Sequence, residues 1–266
     1  TTADSIIYDE GDSLTILQNL RYAPQPDSLN GDVASDKMLD LYLPNVVGIQ
    51  KLPVLIFVHG GGFAGGDKEG TADLCSKIAT KGFAVISINY WLTLKHKKIP
   101  GASATANMAK GVQRDRKFHP GLVTAVRNAS DDLVLVLQWI RRHQEAYNLD
   151  ISKVALSGGS AGAMTVLYTA YVSEQKVLPI RAVIDLWGGL EDEGVIKRDS
   201  PPVLIYHGDK DKLIHVDYAH ALKERMDEIG NTRSVLHIME GKGHARYDII
   251  RNEKINEISK FLHEIL

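Results

Sequence analysis

A serine stands at the centre of a short segment with glycine at both ends, Gly158-Gly159-Ser160-Ala161-Gly162. A strand-like run from Lys153 to Ser157 precedes this segment, and a helix-forming stretch begins at Ala161. A serine in so sharp a strand-to-helix turn adopts strained backbone angles, which small neighbouring residues tolerate. The segment predicts a nucleophile elbow with Ser160 as the nucleophile. A small-residue turn without chemistry is the alternative.

A histidine late in the chain is the candidate base for that serine. A serine hydroxyl is a poor nucleophile near neutral pH and needs an imidazole that takes its proton. His244 follows a strand-like run from Ser234 to Met239. In an open parallel sheet, the residues just beyond the carboxyl ends of the strands surround the ligand, so we expect His244 to meet Ser160 there.

A carboxylate must hold that imidazole in the correct tautomer, and three aspartates are candidates. Asp209 and Asp211 follow the predicted strand from Pro202 to His207, and Asp185 lies inside another predicted strand. We predict Asp211 as the acid, because Asp209 lies nearer to the strand end and is suited to fixing its loop through backbone amides. Asp185 is a more distant candidate.

Three successive glycines follow the strand-like run from Pro53 to Val58, in the segment His59-Gly60-Gly61-Gly62-Phe63. A backbone without side chains can approach a bound group closely and turn its N–H groups toward it. Attack on a carbonyl carbon needs such donors where negative charge develops on the oxygen. We predict an oxyanion hole formed by backbone N–H groups of this glycine run together with the N–H of Ala161, the residue after the nucleophile.

The same glycine-rich segment also matches a dinucleotide fingerprint, at Gly60, Gly62 and Gly65. That fingerprint requires an acidic residue at the end of the next strand, and this strand ends with Asn89-Tyr90 instead. Asp67 stands where a phosphate-binding loop carries lysine. The ten histidines are scattered without metal-ligand spacing. No cofactor and no metal are therefore predicted.

Continuous apolar runs alternate with helical patterns from about residue 50 to the end of the chain. Such runs are typical of strands covered on both faces. We predict an α/β fold with a mostly parallel open sheet, helices on both faces, and antiparallel N-terminal edge strands at Ser5 to Tyr8 and Leu14 to Tyr22. Ser130 is predicted to cap the helix that follows it. The other predicted strands are Met38 to Leu43, Pro53 to His59, Phe83 to Tyr90, Lys153 to Ser157, Ala182 to Trp187, Pro202 to His207 and Ser234 to Met239.

One segment, from about residue 95 to residue 128, interrupts this alternation. It is rich in glycine, alanine and basic residues, and it is longer than an ordinary connection. We predict a single domain over residues 1–266 with this segment as a lid-like insertion. Its basic residues favour either attraction of an acidic substrate or a solvated face, which is the commoner role. Trp91 and Trp187, both near strand ends, are candidates for substrate binding or for core packing.

The charge balance restricts the possible partners. Charged residues make up 24% of the chain and the formal net charge is -2, which favours neither nucleic acid nor an anionic membrane surface as a partner.

The single cysteine, Cys75, excludes an intrachain disulfide. A chain that begins at Thr1 is compatible with removal of a signal peptide, so export from a bacterium and a cytoplasmic location both stay open. No oligomeric state is predicted.

Together these motifs resemble those of the α/β-hydrolase superfamily, and within it the bacterial esterases and lipases that carry HGGG upstream of G-x-S-x-G. The chain is particularly similar to feruloyl-esterase-like and acetyl-esterase-like enzymes, from about residue 36 to the C-terminus. The resemblance implies a cofactor-free serine carboxylesterase acting on small-molecule or carbohydrate esters, including acetyl or feruloyl esters of plant polysaccharides. It implies Ser160, Asp211 and His244 as the triad. It also implies Gly61, Gly62 and Ala161 as the donors of the oxyanion hole. The motifs that carry it are His59-Gly60-Gly61-Gly62-Phe63, Gly65-Gly66-Asp67-Lys68 and Gly159-Ser160-Ala161-Gly162.

Two features depart from that pattern. Trp91 stands where related sequences often have arginine, and the connection from Gly188 to Ser200 is too short for a large cap. A cap would then come from the segment 95–128. The same triad also serves amidases, peptidases and arylformamidases, so these activities stay open as alternatives. A binding protein on the same fold is a third possibility.

Overall fold

The computed structural model describes residues 6–8, 14–45 and 50–266, the first of these ranges through its backbone alone. Nine strands are described: β1 (Ile6–Tyr8), β2 (Leu14–Arg21), β3 (Met38–Pro44), β4 (Leu52–Val58), β5 (Ala84–Ile88), β6 (Leu149–Gly159), β7 (Ile180–Leu186), β8 (Val203–Gly208) and β9 (Val235–Met239).

These strands form one sheet in the order β1-β2-β3-β5-β4-β6-β7-β8-β9. The pairs from β1 to β5 are antiparallel, and every pair from β5–β4 to β8–β9 is parallel. The predicted mostly parallel sheet with an antiparallel N-terminal edge is confirmed. Ser5, the first residue of the predicted edge strand, lies outside the described residues.

Helices cover both faces of the sheet. Along β4, Val54, Ile56 and Val58 belong to a core shared with the helices α4 (Pro120–His143) and α5 (Ala161–Tyr171). Leu55 and Phe57 belong to a second core, shared with α1 (Ala72–Ala79) and α8 (Ile255–Ile265). This alternation explains the uninterrupted apolar run of β4, because both of its faces are buried. The helices are α1 (Ala72–Ala79), α2 (Thr93–His96), α3 (Ala104–Met108), α4 (Pro120–His143), α5 (Ala161–Tyr171), α6 (Asp217–Glu228), α7 (Tyr247–Ile249) and α8 (Ile255–Ile265).

Helix α4 begins at Pro120, so the prediction that Ser130 caps it is wrong. Proline is favoured in the first turn because its missing N–H would be unpaired there, and His119 Nδ1 accepts a hydrogen bond from the Gly121 N–H at 3.0 Å. Ser130 instead lies inside the helix, where its hydroxyl bonds to Thr169 on α5 at 2.7 Å. Residues 120–128 of the predicted insertion therefore belong to α4, and α3 lies in the part before it.

The strand register places the segments that follow the parallel strands at one edge of the sheet. Val58 on β4 pairs with Gly158 on β6, and Gly208 on β8 pairs with Met239 on β9. The loops that begin at residues 59, 160, 209 and 240 consequently lie beyond the carboxyl ends of the strands, where ligands bind in open α/β sheets. Within residues 14–45 and 50–266, no helix has the length and apolar character that crossing a membrane requires.

Candidate active site

Ser160 occupies the turn between β6 and α5, with φ 54° and ψ -118°. A non-glycine residue at positive φ is strained, so the surrounding packing must hold it. A Cβ on Gly158 would lie 2.5 Å from the carbonyl carbon of Gly162, and a Cβ on Gly162 would lie 1.8 Å from Val58 O. Side chains at either position would collide with backbone, which explains why glycines flank this serine.

The side chains of Ser160, His244 and Asp211 form one hydrogen-bonded chain. Ser160 Oγ lies 2.8 Å from His244 Nε2, and His244 Nδ1 lies 2.6 Å from Asp211 Oδ2. With Nδ1–H donating to the carboxylate, Nε2 is free to accept the serine proton. The backbone N–H groups of Leu213 and Ile214 each donate to Asp211 Oδ1 at 2.9 Å and fix the carboxylate.

The surroundings of Asp211 keep it ionised. Burial alone would raise the pKa of Asp211, but hydrogen bonds from His207 and His244 outweigh burial and hold that pKa far below its usual range. An ionised carboxylate at this position can stabilise the positive charge that His244 acquires when it takes the serine proton.

The two other candidate acids have different partners. Asp209 is exposed, and its Oδ1 accepts a hydrogen bond from the Gly241 N–H at 2.7 Å. Asp185 is buried in β7, where its Oδ1 accepts from the Gly188 N–H at 2.9 Å and burial raises its pKa to about 6. Of the carboxylates in the described chain, Asp211 is the one that hydrogen-bonds to His244.

The glycine loop after β4 lies beside the nucleophile. A Cβ on Gly60 would come within 3.1 Å of Ser160 Cβ, and Gly61 and Gly62 have φ values of 118° and 65°. L-residues rarely adopt such angles, so glycine is needed for this path. Within the described residues, the N–H groups of Gly61, Gly62 and Ala161 have no hydrogen-bond acceptor. These donors are therefore available to an oxyanion.

An open cleft of about 550 Å³ surrounds Ser160 and His244. Residues 103–105, from the segment 95–128, contribute to its lining, as do Leu213 and Ile214 from the loop that carries Asp211. The volume is sufficient for a small organic molecule or a sugar unit.

The two tryptophans singled out in the sequence are not among the residues that line this cleft. Trp187 is fully buried, with its ring centroid 6.5 Å from that of His244. Trp91 stacks on His96 at 4.2 Å, and its backbone N–H donates to Asp132 at 2.8 Å. Both indoles contact protein side chains, so the structure favours the packing alternative over contact with substrate.

The basic residues of the segment 95–128 also lie outside the cleft lining. Lys95 pairs with Asp32 at 2.7 Å, and Arg116 pairs with Glu193 at 3.0 Å. These pairs suit the solvated-face interpretation rather than attraction of an acidic substrate. Throughout residues 14–45 and 50–266, no group of three or more His, Cys, Asp or Glu side chains is arranged to hold a metal ion.

Three residues that sequence reasoning did not identify also lie at the site. Thr71 and Tyr247 line the cleft, and His207 Nε2 lies 3.3 Å from Asp211 Oδ2. Tyr247 follows His244 by only three positions, which is a signal that could have found it. Thr71 has no comparable signal, because its place in the cleft depends on the path of the chain after the glycine loop.

The chain belongs to the phospholipase/carboxylesterase family, whose model matches residues 126–266 and thus more than half of the chain. The matched segment contains Ser160, Asp211 and His244. A second family model, BD-FAE, matches residues 39–109, which include the glycine loop. The protein is thus a carboxylic ester hydrolase of the α/β-hydrolase superfamily, as the sequence motifs predict.

Two curated relatives that are esterases are both longer than this chain. The chain is 25% identical to esterase LipC of Mycobacterium tuberculosis over an alignment of 280 positions. This alignment includes 94% of this chain and 67% of that protein. It is 30% identical over 138 residues to fumonisin B1 esterase of Sphingopyxis macrogoltabida, covering 51% of this chain. That alignment spans 23% of the length of the Sphingopyxis enzyme.

Solved structures with this fold include esterases. A truncated carbohydrate esterase from gut microbiota superposes with a TM-score of 0.68 at 18% identity, over 96% of this chain and 97% of that chain. An esterase of Thermogutta terrifontis with propionate bound superposes with a TM-score of 0.66 at 19% identity, over 96% and 94% of the two chains. At these identities the likeness shows a shared fold.

Proposed function

We propose that the protein is a serine carboxylesterase that works through an acyl-enzyme on Ser160. The observation that carries the proposal is the unbroken hydrogen-bond chain from Ser160 through His244 to Asp211, with distances of 2.8 Å and 2.6 Å. These three side chains lie at a cleft beside three backbone N–H groups that have no acceptor among the described residues. Acyl transfer requires this arrangement.

In the first half of the reaction, Ser160 Oγ attacks the ester carbonyl carbon while its proton moves to His244 Nε2. The carbonyl oxygen becomes an oxyanion, which accepts hydrogen bonds from the N–H groups of Gly61, Gly62 and Ala161. The bond from the carbonyl carbon to the alcohol oxygen then breaks. His244 returns its proton to that oxygen, the alcohol leaves, and an ester on Ser160 remains.

In the second half, water takes the place of the alcohol. His244 removes a proton from the water as its oxygen attacks the acyl carbon, and the same backbone donors stabilise the second oxyanion. The bond to Ser160 Oγ breaks, the serine regains its proton from His244, and the carboxylic acid leaves. Ionised Asp211 stabilises the protonated imidazole in both halves.

As substrates we propose acetyl or feruloyl esters, among them esters of plant polysaccharides. The motif resemblance supports this class, as do the BD-FAE match over residues 39–109 and the carbohydrate esterase among the proteins of the same fold. The proposed partners are small-molecule or carbohydrate esters, without nucleic acid or membrane, in keeping with a net charge of -2.

The wild type and Ser160→Ala should be compared on acetyl, butyryl and feruloyl esters, beside an anilide and a formamide. We expect the esters to be hydrolysed and kcat to fall by about 10⁶ in the variant, as for other serine nucleophiles. Ser28→Ala, at an exposed position outside the cleft lining, is the control and should keep the wild-type rate. Equal turnover by Ser160→Ala would refute the proposal, and faster cleavage of the anilide or formamide would favour the amidase alternative.

A further inference from the structure

The motif segment Gly65-Gly66-Asp67-Lys68 contributes no reacting group, but its glycines pack directly against the glycine loop. The Gly65 N–H donates to Gly61 O at 3.1 Å, and a Cβ on Gly61 would lie 2.2 Å from Gly65 O. A Cβ on Gly66 would lie 2.5 Å from Gly60 O. Backbones packed this closely cannot move independently. The placement of residues 65 and 66 therefore determines the placement of the proposed oxyanion donors.

Lys68, two residues further along, is buried, which is uncommon for a lysine unless it is paired. Its Nζ lies 3.0 Å from Asp40 Oδ1 on β3 and donates to Asn19 Oδ1 on β2 at 2.8 Å. The Asn19 N–H also donates to Asp40 Oδ1, at 2.9 Å. Asn19 has a φ of 57° and lies where the β2–β3 register shifts. The ammonium group thus links the end of the glycine loop to two strands of the antiparallel edge.

The backbone of Lys68 is held as well as its side chain. Its N–H donates to Asn89 Oδ1 at 2.8 Å, and its carbonyl oxygen accepts from Ser87 Oγ at 3.1 Å. Ser87 belongs to β5, and Asn89 follows the last residue of that strand. Strands β2, β3 and β5 together therefore fix one residue after the glycine loop.

The buried pair of Lys68 and Asp40 has more to do with geometry than with stability. Removing two charges from water costs free energy, so apolar side chains of similar size would stabilise the same space as well or better. An apolar pair, however, has no directional bonds and would not fix the path of the chain. An ammonium group with two oxygen partners fixes it.

We propose that Lys68 is a positioning residue for the oxyanion hole. By holding the chain that returns along the glycine loop, it keeps the N–H groups of Gly61 and Gly62 where negative charge develops on the substrate. Lys68 is not among the residues that line the cleft, so it acts through Gly65 and Gly66. The inference rests on the proposed esterase function, and it assigns the antiparallel edge of the sheet a part in catalysis.

Replacing the ammonium group should affect kcat rather than KM. We expect Lys68→Met to lower kcat about ten- to hundredfold with KM nearly unchanged, because misplaced donors weaken binding of the oxyanion and not of the ester. Lys68→Arg keeps a charged donor and should recover part of the loss. Lys77→Met, which removes a lysine from the exposed pair with Asp73 on α1, is the control and should keep the wild-type kcat.

A second variant keeps the test valid if Lys68→Met does not fold. In the double variant Asp40→Asn/Lys68→Met no buried charge is left unpaired, and the asparagine oxygen can still accept from the Asn19 N–H. This variant should melt near the wild-type temperature and still show the loss of kcat. A wild-type kcat in this folded variant would overturn the proposal.

Hydrogen exchange tests the same contact without turnover. The amides of residues 60–66 should exchange about tenfold faster in Lys68→Met or in the double variant, and those of α6 should be unchanged. Faster exchange in the variants, with no ester hydrolysis by the wild type, would refute the esterase and keep the positioning role. Unchanged exchange at residues 60–66 would overturn that role even if the wild type is an esterase.

Discussion

His207 and His244 share one oxygen of Asp211. Asp211 Oδ2 lies 2.6 Å from His244 Nδ1 and 3.3 Å from His207 Nε2, and His207 Nε2 also donates to Ile214 O at 2.7 Å. His207 is fully buried and therefore holds a fixed position behind the carboxylate. We propose that it acts through Asp211, as a positioning residue for the acid of the proposed triad.

Replacing His207 should weaken catalysis without removing the triad. We expect His207→Leu to lower kcat about tenfold with little change in KM, since Asp211 loses one of the donors that orient it. His207→Gln, which can still donate from its amide, should retain more activity. His220→Leu, at an exposed position on α6, is the control.

A pH series distinguishes positioning from simple loss of structure. Because the pKa of Asp211 is depressed in the folded state, its stabilising contribution is present at neutral pH and is lost as the pH falls below about 4. His207→Leu removes part of that depression, so its free energy of unfolding should fall less steeply between pH 4 and pH 2. Parallel curves for the two proteins would contradict the assignment.

Replacing each of the two aspartates in the loop after β8 separately by asparagine identifies the carboxylate that orients His244. Asp211→Asn should lower kcat by about 10⁴, because the amide favours the wrong tautomer of His244. Asp209→Asn should stay near the wild-type rate, since Asn Oδ1 can still accept the Gly241 N–H. Steady-state kinetics on one acetyl ester, with thermal melting of each variant, provides the measurement. The reverse order of effects would make Asp209 the acid.

The motifs single out three side chains that the structure brings together, and the reason is physical. Ser160, Asp211 and His244 each follow a strand of one parallel sheet, so their order along the chain also fixes the edge at which they meet. The glycines that the turn and the oxyanion loop require are visible as residue types. Such requirements depend on only a few neighbouring residues, so they can be recognised in the sequence without knowledge of the tertiary structure.

Side-chain surroundings were harder to predict, because they depend on contacts between distant elements. The Trp187 ring follows a strand end, but it packs beside His244 rather than in the cleft. Thr71 and Tyr247 both line the cleft although they lie far apart in the sequence. The start of α4 was missed because His119 is an unusual N-cap, whereas Ser130 has the preferred residue type.

Asp185 should make folding stability depend on pH. Burial raises its pKa to about 6 in the folded protein, against a model-peptide value of 3.8, so stability is lost as the pH rises through this range. We expect Asp185→Asn to remove that loss and to gain up to about 3 kcal/mol relative to the wild type between pH 4 and pH 6.5. Urea unfolding across this range tests it, with exposed Asp199→Asn as control. A pH-independent difference would contradict the prediction.

The Gly159 backbone and the Tyr247 hydroxyl should be energetically coupled. A Cβ at position 159 would lie 2.0 Å from Tyr247 Oη and 2.7 Å from the ring carbon that bears it. We expect Gly159→Ala to cost about 1 to 3 kcal/mol of stability and to lower kcat, because the displaced ring presses on the turn that holds Ser160.

A double-mutant cycle isolates that contact. In Tyr247→Phe the nearest oxygen is absent, so Gly159→Ala should cost less there than in the wild type, with a coupling energy of about 1 kcal/mol. Gly65→Ala, at a position that like Gly159 lacks a positive φ but has no atom within 4 Å of its Cβ, is the control for stability. If the two substitutions prove additive in both urea unfolding and kcat, the hydroxyl does not press on the elbow and its place beside Ser160 must be revised.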